Sequence, residues 1–303
     1  MAAPPLRGYK PIELGDKVTF DEHFNAHPPD ISEYTFTNLY MWRKHYKFAW
    51  KSWNGSLLLI SSMTAGKVML FPPIGGNVVA AIEVVKADAT AAGTLLELHR
   101  VPELMVTAIN ESGMPVEIIE DRDNWDYVYA TKDLSTLDGS KYAETRKKLS
   151  RFNRDHECEF KALDAPFIEK ILKMQEEWCN LRGCDESEGL SDENSAIKDI
   201  MSNWNALKFT GGMLIEKDRI VAYSLGEKLN PGTIVVHVEK ANPHPSFFGA
   251  YQAINKHFAT VCAAGFEFIN REQDIGEPGL RRAKESYNPV RMGKKYKVIV
   301  KGQ

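Results

Sequence analysis

Two apolar runs, Phe48 to Trp53 and Ser56 to Ser62, flank Asn54-Gly55. That dipeptide favours a two-residue type I′ turn, so the stretch predicts a β-hairpin. Ahead of it, Phe36, Leu39, Tyr40 and Arg43 fall near helical spacing within Phe36 to His45, an aromatic-rich segment that reads as core. Lys67 to Phe71 predicts a third strand, closed by Pro72-Pro73, and Gly75-Gly76 breaks the chain again. Asn77 to Glu111 reads as mostly helical, with the Leu95, Leu96 and Leu98 cluster supporting a helix and Glu103 to Ile109 open between helix and strand. Val116 to Glu120 predicts a short strand and Trp125 to Ala130 another short apolar-aromatic element.

The second half has the same habit. Phe167, Ile171, Met174 and Trp178 share one face of a helix over Pro166 to Arg182, ended by Gly183. An acidic loop, Cys184 to Glu193, leads to a further helix through Trp204 and Leu207. Gly212 to Glu216 and Arg219 to Lys228 alternate around Lys217-Asp218 as a second hairpin, and the β-branched run Thr233 to Glu239 suits a sheet centre. Ser246 is placed to cap a helix from Phe247 through Ala264. Phe266, Phe268 and Ile269 then form a short buried strand that stops at Asn270, and Leu280, Ala283 and Tyr287 follow at helical spacing until Pro289. The repeated order predicts an α/β chain of two similar folds, residues 1–155 and 156–303, joined near residues 155 to 165.

Composition narrows the field only a little. Lys+Arg 38 against Asp+Glu 41 gives a net charge of -3, so a polyanionic partner needs a local basic patch. Gly139 to Asp155 supplies one: Tyr142, Thr145, Leu149 and Phe152 make a buried stripe, while Arg146, Lys147, Lys148, Arg151 and Arg154 take the remaining surface. Like charges so close repel by a few tenths of a kcal/mol per pair. Either an anionic partner or a solvated helix between the folds accounts for them. Cys158, Cys179, Cys184 and Cys262 lack zinc-knuckle or disulfide-framework spacing and read as free thiols of a reducing cytosol. No apolar run approaches a membrane span and no leader pattern opens the chain, so a cytoplasmic protein without a transmembrane segment is expected.

The densest polar chemistry follows the strand at Phe266. Arg271, Glu272 and Asp274 sit at a strand end, with Arg281 and Lys284 on the next helix. Packed α/β sheets commonly bind ligands outside the carboxyl ends of their strands; the same charges also suit an ion-pair lattice pinning the loop. Glu239 closes the central strand beside this loop, and Gly249-Ala250 leaves a helix start open to a ligand anion. His237 and His244 are available as bases, although single histidines more often serve as satisfied polar residues.

The runs EKANP, FFGAYQAINKHFA, INREQDIGEPGLRRAKESYNP and KKYKV, with DYVYA and KYAETRKKLSRFN, resemble the family similar to the C-terminal domain of phosphatidylglycerol lysyltransferase. The resemblance covers Trp125 to Val300 well and the first 120 residues loosely, through FTNLYMWR. It implies two tandem GNAT-like (acyl-CoA N-acyltransferase-like) folds with mixed, mostly antiparallel sheets, related to Fem-type aminoacyltransferases that draw on charged tRNA. By the same resemblance Glu239, Tyr251, Asn270, Arg271, Glu272, Asp274, Arg281, Lys284 and Tyr287 line the site of the second fold, and the basic helix around Arg146 to Arg151 borders it. Coenzyme-A-binding relatives of that fold carry Arg or Gln three residues before a Gly-x-Gly/Ala turn. Ser246 stands at that place here, which argues against coenzyme A and leaves no cofactor expected.

The implied chemistry is transfer of an aminoacyl group to an amine or hydroxyl on a small-molecule, peptide or lipid acceptor, the donor an aminoacyl-tRNA or other nucleotide-bearing ester. Asp274 or Glu239 would serve as base, and Arg281, Lys284 and Arg271 would stabilise the oxyanion or donor phosphate. A non-catalytic ligand-binding module, or an RNA-binding protein that uses only the basic helix, fits the same residues.

Overall fold

The computed structural model describes residues 6–63 and 66–302. The chain divides into two compact units, one comprising Met1–Asp126, Gln273–Pro278 and Met292–Gln303, the other Tyr127–Glu272 and Gly279–Arg291.

The first unit opens with β1 (Lys10–Pro11), α1 (Lys17–Ala26) and α2 (Phe36–Tyr46). The hairpin β2 (Phe48–Trp53) and β3 (Ser56–Ser61) turns on Asn54 and Gly55, both with positive φ, as the sequence requires. β4 (Lys67–Leu70), α3 (Val78–Ala91), β5 (Leu95–Pro102), α4 (Glu103–Glu111) and β6 (Val116–Glu120) follow. Leu95 to Leu98 is therefore strand, not helix. β5 lies parallel to β4 and antiparallel to the C-terminal strand, so its leucines are selected for a two-residue period: Leu96 and Leu98 are buried while Leu95 is exposed. Leu58, Ile60, Val68, Leu70, Leu96 and Leu98 form the core with Ala81, Ile82, Val85 and Ala89 of α3.

The second unit takes β7 (Asp126–Ala130), α5 (Thr131–Thr136), α6 (Ala143–Asp155), β8 (Glu159–Ala162), α7 (Ile168–Arg182), α8 (Glu188–Ser202), α9 (Trp204–Leu207), β9 (Thr210–Glu216), β10 (Arg219–Asn230) and β11 (Thr233–Ala241). Then come α10 (Ala250–His257), β12 (Phe268–Asn270), α11 (Pro278–Glu285) and β13 (Arg291–Gly293), and the chain ends with β14 (Lys295–Val300). Lys217 and Asp218 both have positive φ at the β9–β10 turn. Leu149 and Phe152 of α6 pack with Ala250, Ala253 and Ile254 of α10 over Leu214, Val221 and Ala222.

Among the described residues each sheet has seven strands, in the orders β1-β2-β3-β4-β5-β14-β6 and β13-β7-β12-β11-β10-β9-β8. Each contains a parallel pair: β4 with β5, and β11 with β12. The sheets also exchange strands across the division expected from sequence, because β7 pairs with β12 in the second sheet and β14 inserts between β5 and β6 in the first. β11 occupies the centre of its sheet, as its β-branched run predicts.

Two further expectations are corrected. No continuous helix runs from Phe247 to Ala264: Pro245–Phe247 is a 3₁₀ turn, Gly249 with φ of 102° interrupts it, and α10 starts at Ala250 with Gly249 rather than Ser246 as its cap. Cys179 and Cys184 are joined as a disulfide, leaving Cys158 and Cys262 free. Gly183, in the left-handed conformation that ends α7, folds the chain back so that Cys184 meets the last turn of the helix, with Cα atoms 5.0 Å apart. Among the described residues no helix is long and apolar enough to cross a membrane.

Candidate functional site: a charged wedge beside the central strand

The parallel ladder between β11 and β12 is short. It pairs Thr233 with Phe268, Ile234 with Ile269 and Val235 with Asn270, and there it stops, while β11 continues to Ala241. Asn270 is fully buried, and its Oδ1 accepts from the Glu272 amide at 2.8 Å, turning the chain away from β11. Glu272 adopts a left-handed φ of 57° in that turn. Past Val235, side chains rather than backbone fill the opening.

Glu239 and Arg271 meet in this wedge, Nη2 donating to Oε1 at 2.8 Å. Asn255, from α10, donates Nδ2 to the other carboxylate oxygen at 3.1 Å. The guanidinium carbon of Arg271 lies 4.7 Å from the ring centre of Tyr287 and 5.6 Å from that of Tyr129. Burial works against the Arg271 charge, but the Glu239 carboxylate more than offsets it and holds the group further into its charged range. Burial pushes the Tyr287 phenol up to about 12 against the pull of Arg271, so the ring stays neutral.

Among the described residues two buried atoms of this cluster have no hydrogen-bond partner: Arg271 Nη1, a donor, and Asn255 Oδ1, an acceptor. Leaving such a group unmade costs about 1–3 kcal/mol, so each calls for an explanation.

Around the wedge the turn is held firmly. The Arg271 amide donates to Tyr127 O at 2.9 Å, Lys284 Nζ donates to Arg271 O, and the Tyr129 hydroxyl donates to Lys284 O at 2.7 Å. Lys284 thus acts on the backbone that carries Arg271. The Tyr142 hydroxyl donates to Tyr287 O at 3.0 Å, which ties Tyr287 to the start of α6. Tyr251 stands in the first turn of α10, partly exposed, near enough to Glu239 to feel its charge. Arg281 is half-buried on α11.

Asp274 is in the other unit. Its side chain is fully buried, Oδ1 accepting from the Gly276 amide at 2.9 Å and Oδ2 paired with Arg122 at 3.2 Å. Gly276, with φ of 78°, is the glycine this turn requires. Gly249 likewise serves packing: a Cβ there would lie 2.5 Å from Lys148 O, so the close approach it permits is that of α6. On α6 the cations divide. Arg146 turns back to Gly139 O at 2.7 Å and Leu137 O at 2.5 Å. Arg151 lies over the exposed Phe248 ring at 5.1 Å, and Lys147 and Lys148 have no carboxylate partner among the described residues.

Asn255 and Tyr129 join the site without having been expected there from the sequence. An asparagine beside Ala253 and Ile254 on the buried face of an amphipathic helix was the available signal for the first; Tyr129 was masked by its place in an apolar strand. Elsewhere a polar cavity of about 350 Å³ lies beside the disulfide, lined by Glu176, Asn180, Asp185, Asn194 and Lys198.

Two mixed sheets in one chain, each with a parallel pair near its centre, are those of two tandem GNAT-like folds. The chain belongs to the family described as phosphatidylglycerol lysyltransferase, C-terminal, whose sequence model matches residues 24–299. A conserved protein of unknown function from Bacteroides thetaiotaomicron is 31% identical, with a TM-score of 0.90 over 97% of this chain and 99% of the other. The L-PGS structure from Bacillus licheniformis shares the fold at 13% identity, with a TM-score of 0.67 over 99% of this chain and 95% of that one. FemX does so at 9% identity, with a TM-score of 0.54 over 96% and 97%. An uncharacterized protein of Mycoplasmoides gallisepticum is 24% identical over 195 residues, spanning 63% of this chain and 60% of that relative's length.

Proposed function

We propose that the chain is an aminoacyltransferase that takes an aminoacyl group from an ester-linked donor, an aminoacyl-tRNA, and delivers it to a hydroxyl or amine acceptor. Family membership supports the class of reaction. The observation that carries the reading is the orphaned pair in the wedge, because a buried donor and a buried acceptor flanking one carboxylate match the aminoacyl group itself. Arg271 Nη1 would donate to the acyl oxygen and Asn255 Oδ1 would accept from the amino group.

In the reaction the acceptor oxygen or nitrogen attacks the ester carbonyl carbon, giving a tetrahedral oxyanion held by Arg271. Its proton passes to Glu239 and on to the ribose oxygen as the old ester C–O bond breaks. A positioned carboxylate base is worth roughly 10² to 10⁴ in rate, and one oxyanion donor on the order of 3–4 kcal/mol. Of the two carboxylates named from sequence, Glu239 takes the base role, since it stands in the wedge between Arg271 and Asn255, whereas Asp274 holds its own turn with Arg122 and the Gly276 amide. Lys284 acts by fixing the Arg271 backbone. Lys147, Lys148 and Arg151, with the exposed Phe248, are assigned to the donor's phosphates and bases, a combination suited to a nucleic-acid end. Coenzyme A is not the donor in this reading, which keeps the role of Ser246 noted from sequence.

Incubation with radiolabelled aminoacyl-tRNA and acceptors bearing hydroxyls or amines tests the proposal. Label should move to an acceptor with wild-type protein and not with Glu239→Gln. Binding of donor with no transfer to any acceptor would leave a binding module instead.

A further inference from the structure

Midway along its pairing with β10, β11 carries one extra residue. Leu225 faces Val238 and Gly226 faces Val236, so His237 is the extra residue of a β-bulge. Gly226 permits it, since a Cβ there would lie 2.2 Å from Val235 O. A bulge re-aims the side chain it inserts, and this one aims an imidazole between two carboxylates. His237 Nδ1 is 2.8 Å from Glu272 Oε1 and Nε2 is 3.3 Å from Glu227 Oε1, with the side chain 1% exposed. A neutral imidazole has a single N–H, so at one of these contacts it would set a lone pair against a carboxylate; the imidazolium donates at both.

Glu272 directly follows Arg271 and holds a left-handed backbone that persists only where its surroundings fix it. Its amide is held by Asn270 and the preceding carbonyl by Lys284; its carboxylate is held by His237. We infer that His237 is a positioning residue: as an imidazolium bridging Glu227 of β10 and Glu272 of the turn, it locks the segment that presents Arg271 to Glu239. The charged groups beside it include those two carboxylates and, two residues along β11, the Glu239–Arg271 pair. Burial opposes the positive charge, and hydrogen bonds to Glu227 and Glu272 more than restore it, holding the group up to about 9. The clamp rests on the function proposed above only in giving Arg271 a substrate to face.

Nitrogen-15 NMR of the histidine rings in the full chain tests the charge. The expected result is a His237 ring protonated at both nitrogens at neutral pH and titrating near pH 9; a neutral ring at neutral pH overturns the inference. The positioning role is read from the Arg271 guanidinium resonances, assigned by their loss in Arg271→Lys. They should be separately resolved in the wild type and merge through faster rotation in His237→Gln, and unchanged signals in a folded variant overturn the role. Should that variant not fold, the wild type answers the same question, because its Arg271 signals should merge as His237 loses its proton. Neither measurement uses catalysis, so the clamp and the transferase reading fail separately.

Discussion

Lys295 Nζ lies 2.7 Å from Asp126 Oδ1, and both side chains are fully buried. The same ammonium is 2.6 Å from Glu33, and the Ser32 hydroxyl donates to Asp126 at 2.8 Å. Burial would discharge the lysine, but Asp126 and Glu33 outweigh it, so its pKa is raised. A nucleophilic or basic lysine needs the opposite shift, which makes this cluster a structural tie within the first unit rather than a second site.

Lys295→Met should therefore destabilise the chain by about 3–5 kcal/mol, since it strands buried carboxylates without their cation. Denaturant titration measures it. A loss under about 1 kcal/mol, typical of an exposed pair, would contradict the assignment.

The His237 clamp has a pH signature in stability as well. Its folded pKa, about 9, lies above the ordinary 6.5, so its contribution is fully present below pH 6.5 and is lost as pH rises through about 9. The loss is on the order of 3 kcal/mol at most. Denaturation midpoints between those limits should fall in the wild type and stay flatter in His237→Gln.

Thiol counting under denaturing, non-reducing conditions should find Cys158 and Cys262 alkylated and Cys179 with Cys184 protected until a reductant is added. In the folded chain the two free thiols should also react slowly, as burial pushes each up to about 11. Alkylation of all four without reductant would refute the pairing.

If Lys147 and Lys148 seat donor phosphates, replacing both with Ala should weaken tRNA binding. It should also flatten the plot of log affinity against log salt by roughly 0.7–0.9 per lost contact. An unchanged slope would remove α6 from the donor site.

Local chemistry made much of this fold readable: Asn54-Gly55 and Lys217-Asp218 declare their hairpins, Gly183 ends α7, and Tyr142, Leu149 and Phe152 mark the buried face of α6. What escaped depends on partners distant in sequence. Leu95–Pro102 becomes a strand because β4 and β14 flank it, and β14 finds its sheet through pairing with β5 and β6, far earlier in the chain. In the site, Glu239, Arg271, Glu272, Lys284 and Tyr287 were legible as charged or aromatic residues around one strand end. Asn255 was not, because its role arises from a helix packing over the wedge, and the place of Asp274 in its own turn needed Arg122.

Single-turnover transfer from pre-bound aminoacyl-tRNA, comparing wild type with Glu239→Gln and Arg271→Lys, bears most directly on the central claim. Each variant should bind donor within a few-fold of wild type. Glu239→Gln should lose about two orders of magnitude in rate, and Arg271→Lys about 10²–10³. Wild-type transfer rates in both folded variants would contradict the wedge as the site of the reaction.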